Sequence, residues 1–184
     1  MEQGSNEVAP RTRRFGMRRI VLATMVGVLS AIAAAGFVQA TPGQGVVSTV
    51  FAVGAFGNID AKTLTDIDPG PATDFWQARI TTKGATDVHF LENKIAPGGT
   101  FGWHSHPGPS LVVVKSGALT LYKASDPSCT PTVVQAGSGF VDNGGDVHLV
   151  RNEGSIETVV YVVSLVPHGF TRRIDEPAPG TCGF

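Results

Sequence analysis

The sequence predicts an all-β domain of the sandwich or barrel type behind an N-terminal apolar leader. Three observations point there: a break in composition near residue 40, short β-branched and aromatic runs from Val46 to Pro167, and the near absence of helical spacing within those runs.

The leader comes first. Arg11, Arg13, Arg14, Arg18 and Arg19 crowd one short stretch, and the 18 residues from Ile20 to Phe37 carry no charge. A cationic start ahead of an apolar run is the physical form of a secretory leader, because the charges stay on the cytoplasmic side while the run crosses. Val38-Gln39-Ala40 then offers small residues for cleavage. The run also approaches the length of a membrane span, so segment 1–40 reads as a signal peptide or a membrane anchor. Membrane contact would run only through residues 20–37, and only if they are retained. Either outcome places residues 41–184 outside the cytoplasm, secreted or in the cell envelope.

That remainder holds 9 Lys and Arg against 13 Asp and Glu, a formal charge of −4 that argues against nucleic acid as a partner. Its 144 residues are enough to enclose one core. Segment 41–74 is expected to supply a spacer at 41–45 and then N-terminal strand and linker. The runs 46–53, 75–82, 86–95, 110–116, 118–123, 147–151 and 156–166 read as strands, punctuated by Pro97-Gly98-Gly99, Ser116-Gly117 and Asn143-Gly144-Gly145. The continuous Val and Leu stretches of 110–116 and 156–166 suit strands covered on both faces. The main β-domain is assigned to 75–167.

The tail, 168–184, is rich in Pro and Gly and would be loose unless Cys182 pins it. Cys129 and Cys182 are the only cysteines, and in an oxidising compartment an even count suggests one disulfide. Two buried free thiols are the other arrangement the residues allow.

Gly98 to Gly117 reads GGTFGWHSHPGPSLVVVKSG, and its His104 and His106 are two apart on an expected strand, so both imidazoles point to one face. Gly137 to Asn152 reads GSGFVDNGGDVHLVRN and adds His148 after a Gly-rich turn. Three neutral imidazoles make a metal site, each offering one nitrogen lone pair without adding charge. Histidines buried and hydrogen-bonded without metal would satisfy the same pattern. Phe101 and Trp103 could line a pocket or pack in the core; His89 and His168 read as surface or packing residues.

Together the two segments resemble the cupin family. Its first motif, glycine, five residues, His-x-His, three or four residues, Glu, six residues, glycine, finds Gly98, His104, His106, Ser110 and Gly117 at those places. Ser110 replaces the Glu. The second motif, glycine, five residues, Pro-x-Gly, two residues, His, three residues, Asn, finds Gly137, Asn143, Gly145, His148 and Asn152, with Asn143 replacing the proline.

The resemblance implies a double-stranded β-helix, or jelly-roll barrel, holding a divalent metal ion, with iron, zinc and manganese the candidates, on His104, His106 and His148. With Ser110 in the carboxylate position the site reads as three imidazoles plus water, Ser110 standing close enough to position water or substrate. Glu92 and Asp142 are the acids that could substitute, though nothing in the sequence places either inside. A site without the carboxylate keeps the ion's full charge and favours a small anionic ligand or substrate. The function expected is an exported metal-binding protein, a metal-dependent oxidoreductase of the dioxygenase type, with no general base to name. The alternative is a non-catalytic envelope protein that binds metal or a small ligand. Pairing through sheet edges, common in the family, implies a homodimer.

Overall fold

The computed structural model of the chain describes residues 40–66 and 75–184, and all its regular elements there are strands. The leader reading of 1–40 lies outside the described residues except for Ala40. Eleven strands follow: β1 (Gln44–Phe56), β2 (Asp60–Asp66), β3 (Phe75–Thr81), β4 (Thr86–Ser105), β5 (Ser110–Ser116), β6 (Ala118–Lys123), β7 (Thr132–Gln135), β8 (Gly139–Asp142), β9 (His148–Arg151), β10 (Thr158–Pro167) and β11 (Ile174–Asp175).

Nine of them make one sheet in the order β7-β6-β9-β4-β10-β5-β8, with β1 and β11 added to β4. The end strands of this path, β7 and β8, are consecutive in the chain. The turn joining them bonds to β5, from Val114 N–H to the Ser138 carbonyl and from Gly137 N–H to the Val114 carbonyl, both at 2.9 Å. The sheet therefore nearly closes into a barrel, which removes most of the open edge that an all-β protein must protect.

The long β4 carries the architecture. Its first half pairs with β10 up to Ile95 and its second half with β9 from Thr100, the exchange falling at Pro97-Gly98-Gly99. Asn152 holds that corner. Its side-chain amide donates to the carbonyls of Ile95 at 2.9 Å and Ile156 at 2.7 Å, and its side-chain oxygen accepts from Gly154 N–H at 3.0 Å. The second-motif asparagine is thus a staple between two turns.

Inside, Leu91, Ile95, Val112, Val114, Leu119, Val134, Val150, Val160 and Val162 form the core. Most are β-branched, which suits a pleated, buried face, and a fully buried Leu such as Leu91 contributes about 1.5–3 kcal/mol. A smaller cluster of Trp103, Tyr122, Leu149 and Cys182 lies under the C-terminal tail.

Several expectations shift. The strand at 86–95 and the one carrying His104 are a single 20-residue β4. β1, assigned to the segment before the barrel, joins the barrel sheet, whereas β3, assigned to the barrel, pairs with β2 in a separate two-stranded sheet. Residues 41–45 are no spacer: β1 begins at Gln44, and the Thr41 hydroxyl accepts from Trp103 N–H at 2.6 Å. In β5, Leu111 and Val113 are each about half exposed, so the continuous apolar run there marks one covered face and one open one. Pairing competes with burial in such runs, and β propensity alone is enough to keep Val on an exposed face.

Cys129 and Cys182 form the disulfide, with Cα atoms 5.4 Å apart. The Asp126 carboxylate prepares the loop at Cys129 by accepting from Ser128 N–H at 2.8 Å and Thr130 N–H at 2.9 Å. The tail, read from the sequence as loose unless Cys182 pins it, adds the two-residue β11 to β4, Ile174 facing Ser105 and Asp175 facing His104. Replacing both cysteines, Cys129→Ser with Cys182→Ser, should lower the unfolding free energy by up to about 4 kcal/mol, because the loop closed is long. Denaturant unfolding of the oxidised protein and the double variant measures it; coincident midpoints would contradict the tether.

Candidate metal centre

His104 lies on the inner face of β4, His106 follows just past its end, and His148 opens β9 directly opposite His104 in register. Two glycines set the local backbone. Gly102 has φ 70°, and a Cβ there would collide with the Thr41 carbonyl where the N-terminal segment crosses β4. Gly145, at φ 86°, turns the chain into β9 and donates its N–H to the His106 carbonyl at 2.8 Å. Both lie in the left-handed region that a side chain strains.

All three imidazoles are buried, and their ligating nitrogens lie within 4.8 Å of one another. Each Nδ1 meets a main-chain carbonyl: His104 that of Gly102 at 2.9 Å, His106 that of Arg172 at 2.7 Å, and His148 that of Asp146 at 2.8 Å. A carbonyl oxygen only accepts, so each Nδ1 must carry a proton, which in the neutral ring leaves the lone pair on Nε2. This is the outer-shell pattern that orients metal-ligating histidines.

Asp142, at the end of β8, points inside. Its Oδ2 lies 3.1 Å from His106 Nε2 and 3.2 Å from His148 Nε2, with the carboxylate buried. The sequence reading left this residue unplaced. Glu92 is turned the other way, toward Lys94 at 3.6 Å on the outer face. Ser110 lines the same cavity, and its hydroxyl shares a hydrogen bond with Ser164 at 2.7 Å. Ser110 and Asp142 are direct partners across β5 and β8.

The cavity beside the histidines measures about 260 Å³. Val112, Phe140, Val160 and Val162 supply apolar wall, while Arg172 and Arg173 from the segment after β10 add two cations. Phe101 lines it too, its ring 5.8 Å from that of His104. Trp103 does not: it faces the tail cluster. His89 and His168 stand apart from the cavity, and His168 Nδ1 lies 2.9 Å from Asp87. The sequence reading missed Arg172 and Arg173, whose one signal is a paired cation just after the last long strand.

Electrostatics favour the neutral form at His104 and His148. Burial, with the charges of His148 and Arg173 adding to it, pushes His104 from 6.5 down to about 2, and burial lowers His148 as well. The Asp142 carboxylate adds an oxygen beside the Nε2 atoms of His106 and His148, next to the cluster of three imidazoles. The donor set fits a divalent ion of the kind that imidazole and carboxylate hold together.

A nearly closed β-barrel with an inward cluster of histidines is the architecture expected of a cupin. The family model of the cupin domain matches residues 92–165, which run from the middle of β4 to β10. No curated protein sequence matches the chain. Among solved structures it is similar to an oxalate oxidase, at 27% identity and TM-score 0.38, over 44% of this chain and 46% of that one. A cupin-2 domain protein from Shewanella frigidimarina gives 21% and 0.35 over 41% and 68% of the two chains. An oxalate decarboxylase from Bacillus subtilis gives 21% and 0.42 over 48% and 23%. The chain spans less than half the length of that oxalate oxidase and of the Bacillus subtilis oxalate decarboxylase.

A pH dependence follows. Below 6.5 the unfolded chain protonates His104 while the folded chain does not until about 2, so the unfolded state binds more protons across that interval. Stability of the chelator-treated protein should therefore fall as pH drops below about 6.5, by about 1.4 kcal/mol per pH unit from His104 alone. Above that pH His104 contributes no slope. Denaturant titrations between pH 7.5 and 5 check this; a stability independent of pH over that range would show that the imidazole is not buried neutral.

Proposed function

We propose that this is an exported metal-binding cupin in which His104, His106 and His148, with Asp142 as fourth ligand, hold one divalent ion. Its role is that of a metal-dependent enzyme acting on a small anionic molecule, oxygenase-like in type. The observation that carries the reading is the cluster of three imidazoles whose ligand nitrogens lie within 4.8 Å of one another, each ring fixed by a carbonyl at its Nδ1, with Asp142 Oδ2 beside the Nε2 atoms of His106 and His148. Iron, zinc and manganese all accept such a donor set. When bound, the ion would act as a Lewis acid on an oxygen-bearing ligand in the adjoining cavity.

The chain's own residues supply the rest. The apolar barrel floor excludes water from one side of the site, and the Arg172 and Arg173 charges favour an anion on the other. The disulfide is compatible with an oxidising, extracytoplasmic location, which supports export. The domain division that goes with this reading is a leader at 1–40, a barrel whose family core is 92–165, and a tail tied back by Cys182.

Elemental analysis of the protein purified from its native envelope should find about one transition metal per chain. His104→Ala should lose most of it, and Asp142→Asn should keep the fold but bind the ion about 10- to 100-fold more weakly. A wild-type metal content well below one after loading would end the metal reading. Full loading without turnover of any carboxylate, thiol or diketone in a broad panel would leave a non-catalytic binding protein instead.

A further inference from the structure

Arg172 and Arg173 lie side by side at the cavity but are engaged differently. Arg173 is committed to the protein: its Nε donates to Asp175 Oδ1 at 2.6 Å and its Nη2 to the Phe101 carbonyl at 2.5 Å. Arg172 gives only its backbone carbonyl, to His106. Arg172 is among the residues that line the cavity, and its guanidinium makes no hydrogen bond or ion pair among the described residues. Among the described residues no carboxylate pairs with this half-buried cation. An Arg partly removed from water without an acceptor is costly to keep. A ligand oxyanion that fits its planar fork in bidentate fashion would relieve that cost.

The rest of the cavity narrows the ligand. Its walls include Val46, Val112, Phe140 and Val162, which call for carbon rather than for further charge. Its volume of about 260 Å³ lies below the range of pockets for drug-sized ligands. With a divalent ion in place, positive charges from the ion, Arg172 and Arg173 outnumber the negative charges of Asp142 and Asp175 by two.

The geometry points to Arg172 as the carboxylate-binding residue of this cavity, selecting a small organic acid whose carboxylate sits on the guanidinium and whose carbon skeleton lies against the valine and phenylalanine wall. This deepens the metal-centre reading and rests on it only for the ligand's second anchor. The arginine contact itself requires no ion.

Calorimetric titration of the full chain with butyrate, succinate, inorganic phosphate and the neutral butyramide tests the assignment, in zinc-loaded and in chelator-treated protein. Butyrate and succinate should bind the zinc-loaded wild type, and butyramide at least about tenfold more weakly, as expected for loss of a charge-assisted pair. Arg172→Gln should weaken both carboxylates by about tenfold or more and leave zinc per chain unchanged, because the backbone carbonyl that His106 needs is retained. Arg172→Lys should fall between the two. In chelator-treated protein the Arg172→Gln difference for butyrate should persist, so a chain that fails to load zinc still tests the arginine. Equal affinity of wild type and Arg172→Gln, butyramide binding as well as butyrate, or no carboxylate binding to the wild type would overturn the proposal. Phosphate binding more tightly than either carboxylate would overturn the organic-acid assignment. The butyrate and butyramide comparison needs no variant and stands if Arg172→Gln fails to fold.

Discussion

The site depends on three hydrogen bonds that do not touch it. Gly102, Asp146 and Arg172 each turn a carbonyl toward an imidazole Nδ1, and those contacts decide that every Nε2 lone pair faces inward. Two of the acceptors lie two residues before the histidine they serve, so the bend of the local chain creates them. The third is 66 residues away, in the segment after β10. Ring orientation at His106 is therefore a tertiary property. It holds only while the C-terminal segment is docked.

That segment is docked from several sides. β11 pairs with β4 beside His104, Glu176 accepts from Ser105 Oγ at 2.7 Å, and Cys182 is bound covalently to Cys129. Trp103, on the outward side of the strand that carries the histidines, sits in the cluster that the disulfide covers. One strand thus links two environments. Its inward residues face the cavity, while its outward ones anchor the tail that supplies a carbonyl and two arginines to that cavity. A tail that fails to close would disturb the centre from outside the barrel without altering any of the three histidines.

Much of this was legible in the sequence. His104, His106 and His148 could be grouped because strand alternation puts residues two apart on one face, and because turn glycines such as Gly145 mark where strands begin. The disulfide followed from a cysteine count. What the sequence hid was pairing: β1 reads as an N-terminal appendage until its register with β4 is known, and β3 reads as barrel although its partner is β2. Arg172 and Arg173 were illegible for the same reason, since a polar pair in a Pro- and Gly-rich tail looks like solvated loop. Cavity lining is set by where the tail docks, which no periodicity records.

Asp142 shows how such pairing changes a chemical conclusion. Along the chain, Ser110 in a carboxylate position reads as the loss of an acidic ligand. Across the sheet, Ser110 and Asp142 are opposed on neighbouring strands and share the inner face, so a carboxylate occupies the adjacent place. The smaller serine is absorbed into a hydrogen bond with Ser164, while Asp142 Oδ2 stands between two imidazoles. The site then carries one negative charge rather than none, and its net charge with a divalent ion falls from two to one. The case for an anionic ligand therefore cannot rest on a carboxylate-free centre. It shifts to the arginines, and above all to Arg172, whose charge the described residues leave unmatched.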